Sequence, residues 1–210
     1  MDQQRYAYTA WSLTPYSGTK EEALLELAGE FFRWAGPATA SDFQTFAGLG
    51  VHATKDILDG LSLEPMEPGS ELLMHPEDVG RLHTFSAPKE PAYALLGSID
   101  SLMHLRRDAS SLMDAEALDN PLLGKSRGAA STLLGVDDHV IVDRGRIIGI
   151  WQFDPEAGKI VWKTFRPAHS ALRDVIRSTE EWIREDLGDA RSFSLDSPAS
   201  RKPRLERLRN

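Results

Sequence analysis

Apolar positions set the first element. Between Lys20 and Trp34, the residues Leu24, Leu27, Ala28, Phe31 and Phe32 recur at the spacing of one helix face. Thr19 followed by Glu22 gives that helix a capping-box start. Gly36-Pro37 ends it, with Gly36 expected as a left-handed cap and Pro37 unable to continue the helix. Thr39 or Ser41 caps a second helix over Asp42–Ala47, Gly48-Leu49-Gly50 makes a turn, and His52–Gly60 forms a third helix. Leu63–Pro65, the turn Glu67-Pro68-Gly69-Ser70 and Glu71–Met74 predict a short hairpin. Glu77–Leu82 adds a helical turn. A helix, a helix-turn-helix and a hairpin in that order predict a winged helix.

The pattern changes period after this. Tyr6, Tyr8 and Trp11 alternate with small and polar residues in Asp2–Leu13, as in a strand or extended arm cut from something longer. Ser86–Pro91 has the Pro-rich, polar composition of a linker. Tyr93–Leu105 predicts a buried strand carrying one acid, Asp100, as a structural acceptor for loop amides. Asp108–Asp119 predicts a helix with Leu112, Met113 and Leu118 inward, and Asn120–Leu134 a basic loop. Lys125-Ser126 in that loop lacks the glycine spacing of a phosphate-binding loop. His139–Phe165 is the clearest β signal: three Val-, Ile- and Trp-rich runs joined by turns at Asp143–Arg146 and Asp154–Gly158, an antiparallel meander. Ala168–Leu187 predicts an amphipathic helix with Leu172, Val175, Ile176, Trp182, Ile183 and Leu187 on its apolar side and Gly188 at its end. The segment from Ser197 is a basic tail. The expected fold is α+β: a winged-helix domain with an N-terminal arm over residues 1–85, a linker over 86–92, and a β-rich domain with a long C-terminal helix and basic tail over 93–210.

Charge complicates this picture. The 210 residues carry a net charge of −8, and residues 1–90 hold 6 Lys+Arg against 14 Asp+Glu while residues 91–210 hold 18 of each. The predicted winged helix is therefore the acidic part, an unfavourable setting for phosphates and a suitable one for a basic protein partner. With no Cys, disulfides and thiolate metal sites are excluded. His75 and His83 do not share a helical face and no zinc-binding helix spacing occurs, so neither metal nor cofactor is expected. No apolar run reaches the ~20 residues of a membrane span, and no secretory signal is present, which predicts a cytoplasmic protein without membrane contact.

The candidate phosphate contacts are therefore local. His52, Thr54 and Lys55 open the third helix, where a recognition helix meets a groove; alternatively they are exposed positions on a packed helix. Arg144 and Arg146 stand at a hairpin tip, able to meet phosphates or, with Asp143, to form a solvated turn. Arg106 and Arg107 follow the Asp100 strand and pair equally well with a phosphate or with Asp108 or Asp114. Arg201, Lys202 and Arg204 lie in the tail with Arg207 and Arg209, facing phosphates or neutralising the acidic half of the chain. Trp151 and Trp162, in neighbouring strands, read as core packing rather than as platforms for a base.

Three stretches in order, Leu27–Leu49 (LAGEFFRWAGPATASDFQTFAGL), Ala94–Asp108 (ALLGSIDSLMHLRRD) and Val140–Trp151 (VIVDRGRIIGIW), resemble the winged-helix DNA glycosylases that unhook interstrand crosslinks, the AlkZ/YcaQ-like family. The resemblance runs from about Glu22 to Leu187 and implies tandem winged helices and a β-rich domain arranged around double-stranded DNA. Family members carry a Gln-x-Gln or Gln-x-Asp catalytic motif in an N-terminal winged helix that this sequence does not show, so the resemblance is to the C-terminal part. Gln152-Phe153-Asp154 matches the motif literally, but it closes a strand and enters a turn, where Asp before Pro is a turn-former. The expectation is a DNA-binding, DNA-repair-associated protein that is non-catalytic in this chain. A crosslink-unhooking glycosylase is the alternative, and a protein-interaction scaffold the second, with a partner at the acidic winged helix.

Overall fold

The structure, a computed structural model, describes residues 9–10, 12–105, 111–118, 120, 122, 138–192 and 196–210. It is a mixed α+β fold whose chain divides into two compact units, Met1–His83 and Thr84–Asn210.

In the first unit α1 (Lys20–Ala35), α2 (Ala40–Ala47) and α3 (Val51–Leu58) precede a two-stranded ladder of β1 (Glu64–Pro65) and β2 (Leu73–Met74), and α4 (Pro76–Thr84) follows. Thr19 and Thr39 both close reciprocal capping boxes, with Glu22 and Asp42. This resolves the choice between Thr39 and Ser41. The chain turns between α2 and α3 through Gly48, whose φ of 66° is the left-handed geometry that Gly adopts without a Cβ clash. Gly36 is a correction. Its φ is −62°, and it is needed because a Cβ there would stand 2.2 Å from the Phe32 carbonyl oxygen. Phe31 is the centre of the core, its ring 5.3 Å from Phe32, 5.5 Å from Phe43 and 5.0 Å from Phe46. Ala38 extends the ladder by exchanging two backbone hydrogen bonds with Leu73, at 3.0 and 2.8 Å.

The second unit is built on a four-stranded antiparallel sheet in the order β3 (Tyr93–Leu96), β4 (His139–Asp143), β5 (Arg146–Asp154), β6 (Lys159–Thr164). The β4 and β5 strands are almost wholly buried, because both faces of the sheet are covered. Val140, Val142, Ile147 and Ile150 meet Met103, Leu112, Met113 and Ala117 on one face, where α5 (Ser101–Leu105) and α6 (Ala115–Leu118) lie. Ile141, Ile148, Trp151 and Phe153 meet Leu172, Ile176 and Ile183 of α7 (Ala171–Trp182) and its π-helical extension Ile183–Leu187 on the other. A bulge makes this possible: Val142 pairs with Ile147 and Ile141 with Gly149, so Ile148 is an extra residue that resets the alternation along β5. Gly149 is required there, since a Cβ would stand 2.4 Å from the Lys163 carbonyl oxygen.

Three sequence expectations change in this unit. The strand predicted over Tyr93–Leu105 ends at Leu96; Asp100 then accepts from the Leu102 N–H at 2.9 Å and starts α5. Trp182 and Leu187, expected on the apolar side of the long helix, are exposed. The basic tail is a helix, α8 (Pro198–Arg209), opened by a Ser197–Ser200 capping box and buried at Leu205 and Leu208. Of the helix predicted over Asp108–Asp119, only Ala115–Leu118 is α-helical among the described residues, with Leu112 and Met113 buried as expected. The loop over Asn120–Leu134 falls largely outside the described residues, as does the arm before residue 9. No helix among the described residues is long and apolar enough to cross a membrane.

Candidate nucleic-acid interface

The sequence nominates four groups of cations, and the structure treats each differently. On α3, His52 and Lys55 are exposed, whereas Thr54 is buried and its hydroxyl donates to the Gly50 carbonyl at 3.0 Å. Thr54 is therefore corrected from a groove-facing contact to a packing residue. The Lys55 ammonium donates to Asp59 at 2.7 Å, and this bond, with the nearby Asp56, raises its pKa. An incoming phosphate would compete with two carboxylates for that one cation.

At the β4–β5 hairpin, Arg144 (φ 49°) and Gly145 (φ 81°) both adopt positive φ, the geometry of a tight two-residue hairpin turn. Left-handed backbone is costly for Arg, and the side chain is correspondingly well held. Its guanidinium donates to both Asp143 oxygens, at 3.1 and 2.9 Å, and to the carbonyls of Pro88 and Lys89, at 3.2 and 3.1 Å. Arg144 thus ties the segment before β3 to the turn. Asp143 is pushed up by burial and pulled down further by Arg144, the Ala92 N–H and Arg166, so its net pKa is lowered. Arg146 is exposed, and among the described residues its hydrogen bonds are long ones to the Ser111 and Met113 carbonyls, at 3.4 and 3.5 Å. Arg106 and Arg107 lie outside the described residues.

The α8 cations are the largest correction. Arg201 has no exposed surface; it donates to both carboxylate oxygens of Asp189, at 2.7 and 2.8 Å, and to the carbonyls of Phe153, Ala190 and Asp196. Arg204 donates to Asp196 at 2.5 Å, Arg207 to Asp138 and Arg209 to Asp154. Arg201 and Arg204 are thus internal counter-ions, placed by the helix repeat against acids of the β unit, and are not presented to phosphate. Lys202 points out on the same helix, beside a cleft of about 380 Å³ lined by Asp154, Glu156 and Arg209.

These arginines complete a buried polar network that sequence reasoning missed. Gln152 is fully buried and its amide donates to Asp138 at 3.1 Å and to the Ser192 hydroxyl at 3.3 Å. The Ser98 N–H donates to His139 Nδ1 at 2.9 Å, while the His139 ring lies 4.3 Å from that of Trp151. Burial lowers the His139 pKa to about 4, aided by the nearby charges of Arg201 and Arg204. Burial raises that of Asp138, against the opposing pull of Arg207 and Gln152. Burial also pushes Asp196 up, but bonds from Arg204, Ser200 and the Ser192 N–H prevail and its pKa is lowered. The available signal was the run Asp186, Asp189, Asp196 followed within a few residues by Arg201, Arg204, Arg207 and Arg209 at helical spacing, acids and cations close enough to pair.

Gln152 and Asp154, the Gln-x-Asp pair, are both consumed within this architecture. Asp154 accepts from the N–H groups of Glu156 and Ala157, at 3.0 and 3.2 Å, forming the β5–β6 turn, and its other oxygen is held by Arg209. Trp151 and Trp162 are a cross-strand pair in the sheet core, and the Trp151 indole donates to the Val140 carbonyl at 3.2 Å. Among the described residues, no three acidic or His side chains converge as metal ligands.

Compared with known proteins, residues 2–192 match the family model described as DNA glycosylase AlkZ-like. Among solved structures, the chain is similar to the Streptomyces sahachiroi DNA glycosylase AlkZ, at 17% identity and a TM-score of 0.58. That match covers 86% of this chain and 46% of the Streptomyces chain, so this protein spans about half the length of that relative. No curated protein matches.

Proposed function

The chain belongs to the AlkZ-like family of DNA glycosylases, and from that membership we propose that it serves DNA repair as a duplex-DNA-binding protein that does not itself excise a base. The observation that carries the DNA reading is the extent of the family match, which takes in both compact units. In this reading α1 to β2 form a winged helix, with α2 and α3 as its helix-turn-helix and β1–β2 as its wing. The accessible cations for the duplex are Lys55 with its neighbour His52, Arg146 at the hairpin and Lys202 on α8, acting in a cytoplasmic protein. The non-catalytic half rests on Gln152 and Asp154. Removing a base requires a group that positions water beside the sugar in an open pocket. An amide and a carboxylate already committed to Asp138, Ser192, turn amides and Arg209 are poorly suited to that. The family description itself favours a second reading, a glycosylase acting on alkylated or crosslinked bases with other residues.

Anisotropy of a fluorescent duplex across a salt series tests the first reading. Each phosphate that no longer meets a cation reduces the slope of log K against log salt by about 0.9. Arg146→Ala/Lys202→Ala should therefore flatten it by nearly 2 if both meet phosphate. An unchanged slope removes these residues from the interface, and no binding at low salt removes the DNA reading for this chain. Release of free base from an alkylated duplex by the wild-type chain would replace it with the glycosylase reading.

A further inference from the structure

The first unit has a surface that the DNA reading does not use. On α1, Glu26, Glu30 and Trp34 follow one another at four-residue spacing and so form one ridge. Trp34 is 58% exposed, and on α2 Phe46, 42% exposed, packs against the Phe31 ring. Beside the ridge is a groove of about 450 Å³ with Leu25, Gly29, Leu61 and His75 along it and Glu26, Glu30 and Arg33 at its wall. His75 is buried there and its Nε2 donates to the Gly29 carbonyl at 2.9 Å, fixing one side of the groove.

Gly29 is the informative residue. A glycine in a helix interior is destabilising relative to Ala. Packing does not demand it here: a Cβ would meet only Leu61 Cδ2, at 4.0 Å. What the missing side chain does is keep the groove open. Its wall sets two carboxylates against the one guanidinium of Arg33, in a unit whose residues 1–83 hold 5 Lys+Arg against 13 Asp+Glu. The groups already on the glutamates hold them loosely. Arg33 pairs with Glu30 at 3.6 Å with both side chains more than half exposed, and the Tyr16 hydroxyl donates to Glu26 at 3.1 Å on the surface.

We propose that this face docks an arginine-bearing segment of a protein partner, with an apolar side chain between Leu25 and Leu61 and a guanidinium against Glu26 and Glu30. Charge selects a cationic segment, and the exposed indole selects arginine over lysine. A planar guanidinium bonds a carboxylate bidentately and stacks on an aromatic face, whereas an ammonium is a compact hydrated charge. The neighbouring acids that would repel phosphate are the ones that recognise this occupant. This inference is independent of the DNA reading.

The probe is a fluorescein-labelled 14-residue peptide of Arg, Leu and Ala, titrated against the full chain. Two controls are its Lys-for-Arg counterpart and a scrambled peptide of the same composition. The Arg peptide should bind about threefold or more tightly than the Lys peptide and better than the scrambled one. Gly29→Leu fills the groove and Trp34→Ala removes the stacking face; each should weaken the Arg peptide about tenfold. Gly29→Leu should melt at or above the wild-type temperature, which separates loss of docking from loss of fold. Equal binding of all three peptides, or binding untouched by Gly29→Leu and Trp34→Ala, would overturn the proposal. So would displacement of the bound peptide by a duplex oligonucleotide in wild type but not in Trp34→Ala, which would assign the face to nucleic acid.

Discussion

His139 is buried at the head of β4, and its environment favours the neutral ring. Nδ1 accepts from the Ser98 N–H, so a proton placed on it would set two donors against each other. Burial acts in the same direction, and the pKa falls from 6.5 to about 4. The sign follows directly. Between these values the unfolded chain binds a proton that the folded chain does not, so stability is full above pH 6.5 and declines as the pH falls towards 4. At 1.36 kcal/mol per pH unit the decline is of order 3 kcal/mol. The acids whose pKa is lowered, Asp143, Asp189 and Asp196, lose their contributions only below their usual value of 3.8, a separate window. His139→Asn keeps an acceptor for Ser98 and removes the titration. Asp138, whose pKa burial raises, takes up its proton earlier in the folded chain and works against this decline. Urea midpoints from pH 7 to 4 should therefore fall in wild type and hold level or rise in the variant. Parallel curves would show that another group governs this range.

At the scale of elements, the Thr19–Glu22 capping box, the β meander and the helix before Gly188 were legible because each is written locally, in spacing or in turn residues. What was not legible depends on distant partners. Nothing local distinguishes Arg201 from Lys202, yet one is sealed against Asp189 and Asp196 while the other is in solvent. The strand predicted to run to Leu105 stopped at Leu96, because an apolar run has the same appearance whether it continues as strand or turns into a buried helix. The register of β5 was hidden as well, since its bulge changes which residues share a face without changing their apolar character. In α8 the arginines do the work that apolar residues do in α7. Arg201→Met retains bulk in that helix but removes the shared cation from Asp189 and Asp196, which keep Arg191 and Arg204, and the donor from the carbonyls of Phe153, Ala190 and Asp196. A buried charge left wholly unpaired costs about 3–5 kcal/mol. With Arg191 and Arg204 still on the two acids, the loss comes from the unmet carbonyls and the weaker pairing, about 1–3 kcal/mol of the roughly 5–15 kcal/mol that holds a typical domain. Denaturant unfolding should show this loss in the second unit. A change under about 1 kcal/mol would mean that water replaces the guanidinium and that α8 is held by Leu205 and Leu208.

At the scale of the molecule, charge is segregated between the units. Residues 84–210 balance at 19 cationic against 19 acidic residues, so the whole net charge of −8 belongs to residues 1–83. A duplex meeting α3 must approach Lys55 past Asp56 and Asp59, whereas one meeting the hairpin or α8 does not. Neutralising the two aspartates therefore reports which unit the DNA touches. Asp59 forms an exposed pair with Lys55, the side chains 63% and 72% accessible, and such pairs contribute little to stability, so Asp56→Asn/Asp59→Asn should fold normally. The substitution removes two repulsive charges within a Debye length, about 10 Å at 0.1 M salt, of any phosphate on the helix, and it frees the Lys55 ammonium to donate. With α3 in a groove, affinity at low salt should rise about 3- to 10-fold and its dependence on salt should steepen, because one more cation displaces counterions. Unchanged affinity and slope would place the duplex on the second unit alone. The acidity of the first unit would then have no role in DNA contact, and recognition of a cationic protein segment along α1 would remain as the physical use of that charge.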